Sequence, residues 1–268
     1  GGSARGAGAA PAPVFLTHRG GLGLVVGALE RELAARGVEL LTRSPVGGLD
    51  RGPGAWLLST PEGPVEADAV VLAVPAFVAA PLLAPHAPGA AGRLEAIGYA
   101  SVSLVTLWYP ASALARPLRG SGYLVPAGEG RLTTACTFMS SKWPHLARPD
   151  QLLFRVSAGR WGDDRHLELS DEELATTAHR ELAAAVGVQG PGPRRWRVAR
   201  WPRSFPQYEV GHLDLVDQVE DDLARLPGLA VAGAAYRGLG IPACIAQGQR
   251  AARAVSAGLS RGTISAGG

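Results

Sequence analysis

The residues best suited to chemistry lie near the end of the chain, in Gly228-Leu-Ala-Val-Ala-Gly-Ala-Ala-Tyr-Arg-Gly-Leu-Gly-Ile-Pro-Ala-Cys-Ile245. The pattern predicts a short buried strand over Leu229 to Ala232, then a glycine-rich loop, then a helix beginning at Pro242. Proline fits a first helical position, where its missing N–H has no intrahelical partner and its φ is already helical. A helix N-terminus reached through glycines offers free N–H groups and a positive dipole end, a setting for a phosphate, a carboxylate or an electron-rich ring. Gly238-x-Gly240-x-x-Ala243 also fits the permissive form of a dinucleotide fingerprint. That motif expects an acidic residue about twenty positions on to hold a ribose hydroxyl, and no Asp or Glu follows Asp222. The loop is therefore expected to meet the reactive end of a cofactor and not to cradle its pyrophosphate.

The elements that must position this loop are legible in outline. Leu22, Val25, Val26, Leu29 and Leu33 mark one face of a helix that Gly37 ends. A strand is expected over Val38 to Thr42, and Gly21-x-Gly23-x-x-Val26 before the helix is read as helix entry or a phosphate contact. Short extended runs follow, Pro45 to Leu49 and Ala55 to Ser59. Ala69 to Val74 reads as a strand buried on both faces, of the kind found in a nucleotide-binding α/β layer. After Ile97 the pattern changes to strands at Ala100 to Trp108, Gly122 to Val125, Leu132 to Phe138, Leu152 to Ser157 and Arg197 to Trp201, an antiparallel sheet. Ser170-Asp-Glu-Glu173 is a capping box for a helix whose apolar face is Leu174, Ala178, Leu182 and Val186.

With 268 residues, 47% of them hydrophobic, the chain is long enough to bury a sizeable core. The net charge is +3, and no dense basic run with interleaved aromatics points to nucleic acid. No apolar run is long enough for a transmembrane helix. Cys136 and Cys244 lack the paired spacing of a zinc site or a disulfide framework, which implies a reducing compartment. The sole methionine is Met139, and Gly1 to Pro13 is a Gly/Ala/Pro segment with nothing to pack a core.

A series of short motifs carries a family resemblance: Gly120-Ser-Gly-Tyr-Leu-Val-Pro126, Glu129-Gly-Arg131, Thr137-Phe-Met-Ser-Ser-Lys-Trp-Pro-His145, Gly159-Arg-Trp-Gly-Asp163, Ser170-Asp-Glu-Glu-Leu174, Arg200-Trp-Pro202, Pro206-Gln-Tyr-x-x-Gly-His212 and Gly240-Ile-Pro-x-Cys-Ile245. In this order, between Pro13 and Leu259, they resemble the carboxyl-terminal part of the flavin-dependent protoporphyrinogen/coproporphyrinogen oxidase family, in the form of the soluble bacterial coproporphyrinogen III type. The resemblance implies a discontinuous α/β domain binding FAD non-covalently, over 14–75 and 200–260. A substrate domain with a mixed or antiparallel sheet is inserted over 76–199, and flexible tails occupy 1–13 and 261–268. Because family members open with a strand, a full glycine fingerprint and an acidic residue for the ribose, it also implies that most of the FAD adenosine and pyrophosphate site lies outside this sequence.

The same resemblance assigns candidate residues. Leu239, Gly240 and Ile241 are expected at the flavin, Val46 toward its adenine side, and Trp201 near the cofactor. Gly122 and Leu124 are expected to pack on the tetrapyrrole, glycine allowing close approach. Propionates call for cations, and Arg119, Arg131, Lys142 and Arg203 are the candidates. His145 and His212 are read as hydrogen-bonding structural groups, because no paired carboxylate is visible near either in sequence, and Gln207 and Tyr208 are read the same way. The cofactor carries the redox chemistry and no catalytic side chain or metal is expected. The implied function is oxygen-dependent oxidation of coproporphyrinogen III, or of protoporphyrinogen IX, in heme biosynthesis in the cytoplasm. A transient contact with the next enzyme of that pathway accompanies it. A related flavin amine oxidase or desaturase, and a non-catalytic tetrapyrrole-binding fragment, remain open at this stage.

Overall fold

The computed structural model describes residues 16–265, with side chains described through residue 259. It divides into two compact units, Gly1–Ser44 and Pro45–Gly268. The 1–13 tail lies outside the described residues.

In the first unit a single helix, α1 (Gly23–Ala35), is closed by Gly37 in the left-handed region (φ 77°) and by an Arg36–Glu32 ion pair at 2.7 Å. None of its residues is buried, and Leu24, Val25, Val26 and Leu29 stand exposed. The strand expected over Val38 to Thr42 does not form. A strand is defined by its ladder, and among the described residues none pairs with this segment.

The second unit begins with an antiparallel meander, β1 (Gly48–Arg51), β2 (Trp56–Thr60) and β3 (Gly63–Ala67). β4 (Val70–Leu72) pairs in parallel with β10 (Leu229–Val231), bringing residues 159 positions apart into register. The run expected to be buried on both faces is open on one: Val70 and Leu72 are buried, but Val71 is 37% exposed. The sheet it belongs to has two strands, β4 and β10, and α8 contacts both.

Helices α2 (Ala76–Leu83) and α3 (Pro88–Glu95) follow, and later α7 (His212–Ala224). The sequence reading gives none of the three as a helix. Their small residues, Ala76, Ala79, Ala90 and Ala91, join Leu83, Leu94, Val216, Val219, Leu223, Trp56, Leu72, Leu229 and Tyr236 in one hydrophobic cluster. Arg93 of α3 reaches Asp222 (2.9 Å) and Gln218 (2.8 Å) of α7 across it. α2 and α3, which fall after residue 75, thus pack with the α/β layer.

The chain then builds a five-stranded antiparallel sheet from β5 (Tyr99–Pro110), β6 (Gly122–Leu124), β7 (Thr133–Phe138), β8 (Gln151–Ala158) and β9 (Arg195–Pro206), ordered β6-β7-β8-β5-β9. Between these strands lie α4 (Met139–Lys142), α5 (Arg165–Glu168) and α6 (Asp171–Val186). The capping box of α6 forms as the sequence predicts. Ser170 Oγ accepts from Glu173 N at 3.2 Å, Glu173 accepts from Ser170 N at 2.8 Å, and Gly187 ends the helix in the left-handed region. From α6, Leu174, Ala178 and Leu182 cover one face of the sheet, where they meet Val105, Leu107, Tyr109, Cys136, Phe138, Phe154 and Val156. Glu181 fixes the contact by accepting from the Leu132 and Thr133 backbone and the Thr133 hydroxyl. The last helix, α8 (Ile241–Ser265), runs five residues into the segment 261–268 that the sequence reading gives to a tail.

Candidate functional site

The glycine-rich loop between β10 and α8 is held from several sides. The Tyr208 hydroxyl donates to the Ala234 carbonyl (2.6 Å) and accepts from Gly238 N (2.9 Å), so one side chain ties together both ends of the loop. Burial raises the Tyr208 phenol above its ordinary range, which keeps it a neutral donor. His212 stacks on Tyr208 with ring centroids 3.9 Å apart, and its Nε2 bonds the Tyr236 carbonyl at 2.8 Å. From α8, the buried Gln247 amide donates to Gly238 O (3.3 Å) and Ala243 O (3.2 Å) and accepts from Arg237 N (3.2 Å). The Arg237 guanidinium grips Glu220 at 2.7 and 3.0 Å and also reaches Asp217, both on α7. Gly238 is required here: its φ is +124°, and a Cβ would lie 2.8 Å from that of Ala243. The loop is thus fixed before any ligand arrives.

What this scaffold presents outward is apolar. Leu239 is 41% exposed and Ile241 57%, directly ahead of the first turn of α8. The first N–H groups of a helix have no intrahelical acceptor, and an ideal Cβ on Gly240 would meet nothing closer than Pro242 Cδ at 3.7 Å. An open backbone with unsatisfied donors beside exposed aliphatic side chains fits the edge of a flat, electron-rich heterocycle such as a flavin.

The second element is the face of the sheet turned away from α6. Residues opposite each other in an antiparallel ladder share a face, so the register gives its rows. Leu124, Ala135, Ser157, Leu104 and Ala199 form one row across all five strands. Gly122, Thr137, Arg155, Thr106 and Arg197 form the next, and Val102 pairs with Trp201 on the other side of the first. This register brings Gly122, Leu124 and Trp201 onto one surface. Leu124 is 83% exposed and Trp201 55%, both far more open than aromatic or aliphatic residues of a packed sheet. Gly122 has φ +153°, and a Cβ there would fall 2.2 Å from the Cys136 carbonyl, so no other residue fits.

The remaining candidates are placed differently. Val46 is half-buried against the first hydrophobic cluster at the entry to β1. The Arg203 backbone sits in a bulge of β9 opposite Ser101 at φ 44°, and its guanidinium lies 3.6 Å over the Phe77 ring. Phe77 meets Tyr99 edge-on, and the Tyr99 hydroxyl accepts from Ala76 N at 2.8 Å. Arg131 faces Glu129 at 3.8 Å, Lys142 lies 5.6 Å over the Trp143 ring, and Arg119 is exposed ahead of β6. His145 stands beside Trp143, and the Gln207 amide bonds the Phe205 carbonyl. Among the described residues no cluster of side chains is arranged to hold a metal.

The family model for flavin-containing amine oxidoreductases matches residues 1–256. The chain belongs to that family. FAD is the cofactor its members imply. The coproporphyrinogen III oxidase of Bacillus subtilis is 31% identical over 239 residues, 88% of this chain and 50% of that protein. The enzyme of the same name from Mycobacterium leprae is 37% identical over 253 residues, 94% of this chain and 54% of its own length. Among solved structures, an Exiguobacterium sp. 255-15 protein assigned as a protoporphyrinogen oxidase superposes with a TM-score of 0.79 at 30% identity, over 94% of this chain and 53% of that one. The chain spans about half the length of the curated relatives it matches. No helix among the described residues is long and apolar enough to cross a membrane.

Proposed function

We propose that this chain supplies the substrate face and the flavin-edge loop of an oxygen-dependent porphyrinogen oxidase of heme biosynthesis, acting in the cytoplasm on coproporphyrinogen III or protoporphyrinogen IX. The observation that carries the reading is the surface shared by Leu124, Leu104, Ala199 and Trp201: broad, apolar and without a carboxylate or histidine in its rows, with Gly122 in the next row. A flat macrocycle can lie on such a surface, and a reaction needing side-chain acid or base could not be run from it. The names of the relatives at 31–37% identity support the same substrate class.

The domain division follows the substrate. FAD belongs to a discontinuous domain built from 14–75 and 200–260, with α2 and α3 packed into it, and the five-stranded sheet forms the substrate domain. When bound, FAD would supply the two-electron oxidation of the porphyrinogen, with oxygen as the final acceptor and hydrogen peroxide as its product. Leu239, Gly240 and Ile241 hold the pyrimidine edge, where first-turn N–H groups and the α8 dipole favour electron density. Val46 meets the adenine side through its backbone, and Trp201 borders the ring. Gly122 lets the macrocycle approach the β6 backbone, while Leu124 packs on it and excludes water. Arg119, Arg131 and Lys142, at the β6 side of the sheet, meet the rim of the substrate. The product passes to the next enzyme of the pathway through a transient contact.

The test is aerobic turnover by the protein as its gene encodes it, loaded with FAD. Coproporphyrinogen III should become fluorescent with matching oxygen uptake. Fluorescence no faster than in a heat-inactivated sample would contradict the reading.

A further inference from the structure

The open face of the sheet changes character along its strands. Toward the start of β5 its rows hold Leu104, Ala199 and Trp201; toward the end they turn cationic. Arg155 on β8 and Arg197 on β9 both pair with Thr106 of β5, so they flank it on one face. Two strand spacings separate their Cα atoms, about 10 Å. One row further, Arg195 pairs with Trp108. Arg155, Arg195 and Arg197 are all exposed, and among the described residues none has a carboxylate or other acceptor for its guanidinium. Other guanidiniums of this unit are engaged: Arg200 with Asp171, Arg237 with Glu220, Arg93 with Asp222. At the edge of the same face a cavity of about 490 Å³ is lined by Trp108, Arg194, Arg195 and Arg197, with Asp150 as the carboxylate in its wall.

An unpaired arginine on an inner strand, as Arg155 is on β8, is out of place on structural grounds, and Arg197 and Arg195 stand beside it on the edge strand β9. Arg155 interrupts a strand whose neighbours are Phe154 and Val156, and Thr106 between the two guanidiniums is small enough to leave the space between them clear. A planar guanidinium offers two parallel donors to a carboxylate. We propose that Arg155 and Arg197, with Arg195 beside them, form a carboxylate-binding row that receives acidic groups on the rim of a flat ligand lying on the apolar half of this face. The inference rests on the porphyrinogen reading, and makes the row a specificity element: it selects the polyacid form and fixes which edge of the macrocycle points toward the end of β5.

The experiment titrates the flavin-loaded, gene-encoded protein with coproporphyrin III and with its tetramethyl ester, following porphyrin fluorescence. The wild type should prefer the acid, and Arg155→Gln and Arg197→Gln should each weaken acid binding roughly tenfold while leaving ester binding unchanged. Arg155→Lys, which keeps charge but loses the planar fork, should fall between. In turnover the loss should appear in KM with kcat little altered. If the wild type binds acid and ester equally and the Gln variants bind both as it does, the row is overturned while the porphyrin reading stands. If the wild type binds neither compound, both are overturned. Because the wild-type acid-to-ester ratio needs no variant, a misfolded variant does not rescue the proposal.

Discussion

The two faces of the five-stranded sheet are written on alternate residues of the same strands, and they have opposite fates. On β5, Val105, Leu107 and Tyr109 are buried under α6, while Val102, Leu104, Thr106 and Trp108 between them are partly open. On β8, Phe154 and Val156 are fully buried and Arg155 between them is exposed. Period-two alternation is the geometry of any strand. What differs is the cover: α6, with its capping box and its Glu181 clasp, packs on one side, and the residues of the other side stay partly open or exposed. One face therefore supplies stability and the other is free to carry binding residues that would be costly in a core.

If that division is right, substitutions should separate by face. Phe154→Ala on the covered face should cost about 3–5 kcal/mol, read by chemical denaturation, because its ring is fully buried against Tyr109 and Phe138. A cost below about 1 kcal/mol would mean the covered face is not the core. Gly122→Ala touches both faces at once. Its backbone conformation and the 2.2 Å approach to the Cys136 carbonyl predict a loss of about 1–3 kcal/mol together with weakened porphyrin binding. Loss of either property alone would break the link between β6 geometry and the binding surface.

The third test uses pH. Burial under α6 pushes the Cys136 thiol from 9.0 up to about 12. The folded state thus keeps a proton that the unfolded chain gives up as pH rises above 9.0, so the stability tied to that proton is present below this value and is lost as pH rises toward 12. Relative to Cys136→Ala, the wild type should lose at most about 2 kcal/mol by pH ~10.5, measured as the difference between the two denaturation curves. An unchanged difference across that range would place Cys136 in contact with solvent.

How much of this was legible beforehand follows the same division. Most of the strands, the α6 capping box and the Pro242 helix are local patterns, and the structure reproduces them within a few residues, while β3 goes unread. α2 and α3 escaped because their buried positions are largely alanine, which weakens the helical period. α7 carries a clear period, Val216, Val219 and Leu223 with acids on the opposite face, and the sequence reading misses it although the signal is present. The strand at Val38 to Thr42 failed for the converse reason: its local pattern is good, but a strand needs a ladder partner. At the site, the glycines and Ile241 stand out in sequence. Tyr208 is read as a hydrogen-bonding group, but its bridge to Gly238, 30 residues away, is not visible, and Gln247 is missed altogether because its role is set by a contact with Gly238 that local pattern does not show. Arg155 carries a local signal, a charge between Phe154 and Val156, whereas Arg197 lies in a strand with three other arginines, and only the register shows that the two share a face.

The most direct test of the central claim, that the uncovered face is the binding surface, is a coproporphyrin III titration of Leu124→Glu beside a thermal melt. Leu124 is 83% exposed, so a glutamate there should change stability by no more than about 0.5 kcal/mol. A buried charge against an apolar macrocycle should nevertheless weaken porphyrin binding by roughly tenfold or more. Unchanged affinity with an unchanged melt would remove Leu124, and with it this face of the sheet, from the site.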